Sequence, residues 1–146
     1  MKEIVELLEE KDRFIHLLLL ADPDLTMIHR YLDQSRVFVL MDDSTPLCQA
    51  AMLDLGNGMC ECKNLATDAS MQNNGYASYL LSVLCTRFKD SHHTMLVGTS
   101  ESGVGFYRRL GFTISHVKKG FFLEYPEPIY ENGKQLTDMI YLRKEL

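Results

Sequence analysis

The chain has 146 residues, 46% of them apolar, and a formal net charge of −5. That length suits a single domain with a sizeable core. The acid excess and the absence of a long basic run exclude a nucleic-acid backbone as the main partner. No apolar run reaches the roughly eighteen residues of a membrane span, and Lys2 is followed by Glu3, Glu6, Glu9 and Glu10, which is wrong for a signal peptide. The expected compartment is the cytoplasm, with no membrane partner. Cys48, Cys60, Cys62 and Cys85 match neither a zinc site nor a redox C-x-x-C pair, so they are expected to be buried thiols and no metal is predicted.

Ile4, Leu7, Leu8, Phe14, Ile15, Leu18 and Leu19 fall near helical spacing and predict helix over residues 1–21. Pro23 interrupts it. A second helix is expected from Asp24, carrying Leu25, Ile28, Tyr31 and Leu32 and capped by Asp22 or Asp24. Residues 36–41, 47–55 and 59–67 read as three strands of an antiparallel meander, the last two joined by the turn Gly56-Asn57-Gly58. A polar loop and an apolar helix follow to Phe88, with Tyr76, Tyr79, Leu80, Val83 and Leu84 on its apolar face. Residues 94–98 read as a buried central strand, 100–110 as a short helix, 112–117 as a strand that 121–125 extends, and 139–142 as the last strand. Helical crossovers join parallel neighbours, so the sheet must be mixed and the fold class is α/β.

The loop of Gln72, Asn73, Asn74, Gly75, Tyr76, Ala77 and Ser78 follows a strand and opens a helix. Gly75 removes a Cβ from the path of an incoming diphosphate, and the first N–H groups of the helix point at it. An ordinary loop with a good helix start explains these residues equally well. The loop is neither a Walker loop nor a G-x-G-x-x-G.

Gln72, Gly75 and Ala77 stand at the positions of a Q/R-x-x-G-x-G/A pattern, and Phe106-Tyr107 precedes Gly111-Phe112 by a few residues. The two patterns, in this order and with a helix, a strand and a helix between them, resemble the GNAT N-acetyltransferase superfamily over residues 59–117. The resemblance implies a splayed central sheet flanked by helices, with an antiparallel N-terminal meander and a parallel pair at an acyl-CoA site. It also implies acetyl-CoA as cosubstrate. Leu65, Ala66 and Thr67 would end the bulged strand that bonds the pantetheine arm and thioester, and the loop from Gln72 to Ser78 would take the diphosphate. Tyr107 matches the family's general acid, and Phe106 precedes it. Ser100 stands where many relatives have Asn, and Gly103 where a small Ala is common. An N-terminal strand, common in the family, is expected to be missing or very short.

Glu61 lies where several relatives carry a base, and it reads either as that base or as a solvated partner of Lys63. In the tail, Glu124, Tyr125, Glu127, Tyr130 and Glu131 interleave acids with aromatics, which suits a cation. Of these, Glu124, Tyr130 and Glu131 are the candidates for contacting substrate. The implied activity is acetyl transfer to a primary amine by direct attack in a ternary complex. An acyl-CoA sensor or interaction module on the same fold is the alternative, and a nucleotide-phosphate binder a third. Small-molecule and peptide amines, among them protein lysine, a protein N-terminus, an aminoglycoside and a polyamine, all stay open as acceptor. Oligomeric state stays open as well, and the resemblance points to a homodimer through the last strands.

Overall fold

The computed structural model describes residues 1–146. The elements are β1 (Lys2–Leu7), α1 (Ile15–Ala21), α2 (Leu25–His29), β2 (Arg36–Asp42), β3 (Thr45–Gly56), β4 (Met59–Thr67), α3 (Tyr76–Phe88), β5 (Thr94–Thr99), α4 (Val104–Arg109), β6 (Thr113–Lys118), β7 (Tyr130–Glu131), β8 (Lys134–Gln135) and β9 (Met139–Glu145). Seven strands form one mixed sheet in the order β1-β2-β3-β4-β5-β9-β6, and β7 pairs with β8 in a separate hairpin. The α/β expectation holds, with one parallel pair, β4 and β5, in an otherwise antiparallel sheet.

Strand alternation sends side chains to two cores. On one face Phe38, Leu40, Ala50, Met52, Cys60 and Cys62 pack against Leu80, Leu81, Leu84 and Phe88 of α3. These α3 residues recur at helical spacing, and burying each large apolar side chain contributes about 1.5–3 kcal/mol. On the other face Val37, Val39 and Ala51 pack under Leu18 of α1 and Ile28 of α2. Asp24 caps α2 by accepting from the Met27 N–H at 2.9 Å, as expected for one of the two candidate caps.

Four expectations are corrected. Residues 2–7 are a strand, not the start of a helix, and pair along their length with β2. The charges of Lys2, Glu3 and Glu6 suit a sheet edge, and the chain turns at Glu10, which takes a positive φ of 50°. The helix from Asp24 is only five residues long, with Leu32 in a separate 3-10 turn. Residues Phe121–Glu124 form a 3-10 turn instead of extending a strand, because Gly120 adopts φ 71° and its N–H is held by Asp138 at 2.9 Å. The α3 crossover joins parallel neighbours, but the α4 crossover does not: β9 inserts antiparallel between β5 and β6. With β9 enclosed, the free edge at that end of the sheet is β6.

The hairpin between β3 and β4 takes positive φ at Gly56, Asn57 and Gly58. At Gly58 a Cβ would also strike the His93 ring, which is held by Asn57 O at 2.9 Å and Thr94 Oγ1 at 2.7 Å. Gly58→Ala is therefore expected to destabilise the fold by about 2–3 kcal/mol, combining left-handed strain with displacement of His93. A urea unfolding midpoint measures it.

Candidate active site

The parallel pairing of β4 and β5 runs only from Met59 with Thr94 to Cys62 with Val97. Beyond it the strands diverge. On the β3 side Ala51 pairs with Asn64 and Met52 with Cys62, so Lys63 is an extra residue, a bulge in β4. The bulge turns β4 away from β5 and leaves the β5-facing edge of residues 63–67 without a strand partner. A cavity of about 410 Å³ opens there, lined on the β4 side by Glu61, Cys62, Lys63, Asn64 and Leu65. Gly98, Thr99 and Ser100 line the β5 side, and Tyr107 closes it from α4. A smaller hollow of about 210 Å³ continues past Leu65, Ala66, Thr67 and Gln72 toward the start of α3.

At that helix start Gly75 adopts φ 78° and Asn73 φ 66°. The first helical bond is Tyr79 N–H to Gly75 O at 3.0 Å, and no backbone N–H of residues 73–78 donates to another group of the protein. Asn74 tightens the loop by donating its side-chain amide to Met71 O at 3.0 Å and Gln72 O at 3.3 Å, while the Gln72 amide reaches Thr67 O at 3.5 Å. Free N–H groups at the positive end of a thirteen-residue helix form a cradle suited to an anion. The loop lies in line with the open β4 edge.

Tyr107 stacks edge-on to Phe106 and Phe112. Its hydroxyl has no partner in the protein and is not sealed off, so it opens on the cavity. Burial of the ring, helped by Cys62 and Cys48, pushes its pKa up and keeps the phenol protonated. Glu61 is only 7% exposed. Burial pushes its pKa up, and Lys63, 3.4 Å away, opposes that rise. Glu61 is thus both paired with Lys63 and a wall of the cavity, rather than part of a solvated face. The Lys63 ammonium also stands 5.4 Å over the Tyr31 ring.

Other sequence candidates divide. The Ser100 hydroxyl lies 3.0 and 2.9 Å from the two Glu131 carboxylate oxygens, and Ser102 donates to Glu131 at 2.6 Å. Glu131 thereby reaches the cavity wall. Gly103 is close-packed for a reason internal to the chain: a Cβ there would collide with Thr99 Oγ1. Glu124 does not line the cavity; it is bound by Arg30 at 3.3 Å and Lys118 at 3.8 Å. Tyr130 points outward, because successive residues of β7 face opposite ways and Glu131 faces in.

Sequence reasoning missed one cluster. Asp22, read as a cap, is buried, and its two oxygens accept from Tyr31 at 3.0 Å and Tyr125 at 2.8 Å. Asn64 donates to Leu18 O at 3.0 Å and to the Tyr31 oxygen at 3.1 Å, pinning α1 across β4. Asp22, Tyr31, Asn64 and Tyr125 all line the cavity. An Asn among the strand residues around the bulge, and an Asp left over beside the true cap, were the available signals.

A family model described as an acetyltransferase (GNAT) domain matches residues 33–114. Among curated proteins, the uncharacterized N-acetyltransferase YvbK of Bacillus subtilis is 31% identical over 148 residues, covering 97% of this chain and 96% of its own. Among solved structures, a GNAT family acetyltransferase from Elizabethkingia anophelis with acetyl-CoA bound superposes with a TM-score of 0.93 at 31% identity, over 99% of this chain and 98% of that one. A Bacillus subtilis acetyltransferase in complex with CoA superposes at 0.90 with 28% identity, over 100% and 99% of the two chains. The paired motifs, the splayed parallel strands and these relatives lead to one placement: the chain belongs to the GNAT acetyltransferase family.

Proposed function

We propose that this protein transfers an acetyl group from acetyl-CoA to a primary amine by direct attack in a ternary complex. The observation that carries the reading is the opening between β4 and β5, with Glu61 and Tyr107 on its walls and the free N–H cradle of residues 73–78 at its far end. Family membership and the relatives solved with acetyl-CoA and CoA support the choice of cosubstrate.

Acetyl-CoA supplies the acetyl group as a thioester. The N–H groups of residues 73–78 hold its diphosphate, and the unpaired edge of residues 63–67 holds the pantetheine arm as a further strand would be held. A backbone N–H at Leu65 or Ala66 binds the thioester oxygen and stabilises charge that develops there. Glu61 takes a proton from the incoming ammonium, so that a neutral nitrogen attacks. As the C–N bond forms and the C–S bond breaks, Tyr107 gives its proton to the departing thiolate and recovers one from the attacking nitrogen, which leaves a neutral amide. No thiol of the chain is suited to carry the acetyl group: burial raises Cys62, which lines the cavity, and raises Cys60 to about 12. Glu131 occupies Ser100, so the Ser100 side chain is committed within the protein.

The test is thermal protection by acetyl-CoA, followed by release of CoA across a panel of amines. The expected result is protection that grows with acetyl-CoA concentration, and CoA release that needs an amine. Protection without release by any amine would favour the acyl-CoA-binding module, and no protection removes the reading at its base.

A further inference from the structure

The cavity wall carries three carboxylates, Asp22, Glu61 and Glu131, and one ammonium, Lys63. Lys63 is paired with Glu61. Neither Asp22 nor Glu131 has a cationic partner: hydroxyls hold both, and the Asp24 backbone adds a bond to Asp22. Both Asp22 oxygens accept a hydroxyl proton, the arrangement of an ionised carboxylate. A buried carboxylate without a counter-charge is costly, and burial pushes Asp22 up in the absence of any protein cation.

Asn64 supplies a second, independent sign of a missing group. It is 3% exposed, and its Oδ1 is buried with no donor. Its orientation is fixed, since turning the amide over would set Oδ1 against Leu18 O. An oxygen short of a donor therefore sits one hydrogen bond from Tyr31, which itself bonds Asp22. The rings of Phe122 and Tyr125 line the same cavity, and Tyr31 already carries the Lys63 ammonium 5.4 Å over its ring, so the lining suits a cation.

The reacting nitrogen must be neutral when it attacks, and Glu61 suffices for its proton. That step leaves Asp22 and Asn64 unused. We propose that the acceptor carries a second nitrogen that stays protonated and is seated by Asp22 and Asn64, so that the substrates are short aliphatic diamines rather than simple monoamines. This rests on acetyl transfer to an amine in the same cavity. The second ammonium pairs with the Asp22 carboxylate and donates to Asn64 Oδ1 by pushing aside the side chains that cover that oxygen, while the first faces Glu61.

Calorimetric titration of the CoA-saturated protein tests it, with a four-carbon diamine, butylamine, and the four-carbon amino alcohol in which a hydroxyl replaces the second ammonium. The wild type is expected to bind the diamine about tenfold or more tightly than either analogue, with Asp22→Asn abolishing the preference. Thermal protection by CoA checks that this variant folds. Tyr125→Phe, which removes one hydroxyl and no charge, should keep a reduced preference. Equal affinity for the three amines in the wild type overturns the proposal, whether or not Asp22→Asn folds. So does a preference that survives intact in Asp22→Asn. Binding is read without turnover, so failure here is separate from failure of acetyl transfer, which CoA release reports.

Discussion

Replacing Glu61 by Gln is expected to lower kcat by about 10²–10⁴-fold, the range lost with a general base. The variant keeps the size and shape of the side chain, so acetyl-CoA protection against heat should persist. The pH dependence carries the sharper signature. A carboxylate accepts a proton only when ionised, so kcat/KM rises with pH through the Glu61 pKa. Burial raises that pKa above the ordinary 4.5 of a glutamate, and Lys63, Lys118 and His116 pull it back. The acid limb should therefore lie above the range of an exposed carboxylate, and it should disappear in Glu61→Gln. In Lys63→Met, which removes the strongest opposing charge, the limb should move to higher pH. A wild-type profile flat through this region, or a limb unchanged in Glu61→Gln, assigns the base elsewhere.

Tyr107→Phe is expected to lower kcat by about 10²-fold, a typical loss for a general acid. The affinity for acetyl-CoA should change little. The hydroxyl makes no hydrogen bond within the protein, so its removal breaks none and stability should stay close to wild type. Burial holds the phenol protonated well above working pH, which suits a donor and not a base. Single-turnover measurement of CoA release separates the chemical step from binding. An unchanged rate would take Tyr107 out of proton transfer.

The core of this site was legible from local pattern. A strand, a glycine in the left-handed region and an apolar helix lie consecutively in the chain, so Gly75 and the helix start that follows it could be read without tertiary knowledge. The β4 bulge was expected from the family resemblance, and its place at Lys63 emerged only from the pairing with β3. β1 was misread because Ile4, Leu7 and Leu8 join the helical spacing of Leu18 and Leu19. The turn between them, with Glu10 at positive φ, carries neither Gly nor Pro to mark it. Glu124 and Tyr130 were chosen for composition, but which way they face depends on a 3-10 turn and a two-residue strand. The Asp22 cluster was out of reach for another reason: its bond to Tyr125 spans 103 positions, and only docking of the tail loop on α1 and α2 brings the two together.

Initial velocities with acetyl-CoA and amine both varied, together with the intact mass of the protein after incubation with acetyl-CoA alone, test the central claim most directly. Direct transfer at the β4–β5 opening predicts intersecting double-reciprocal lines and a protein mass unchanged by acetyl-CoA. Parallel lines with a protein that gains one acetyl group would contradict it.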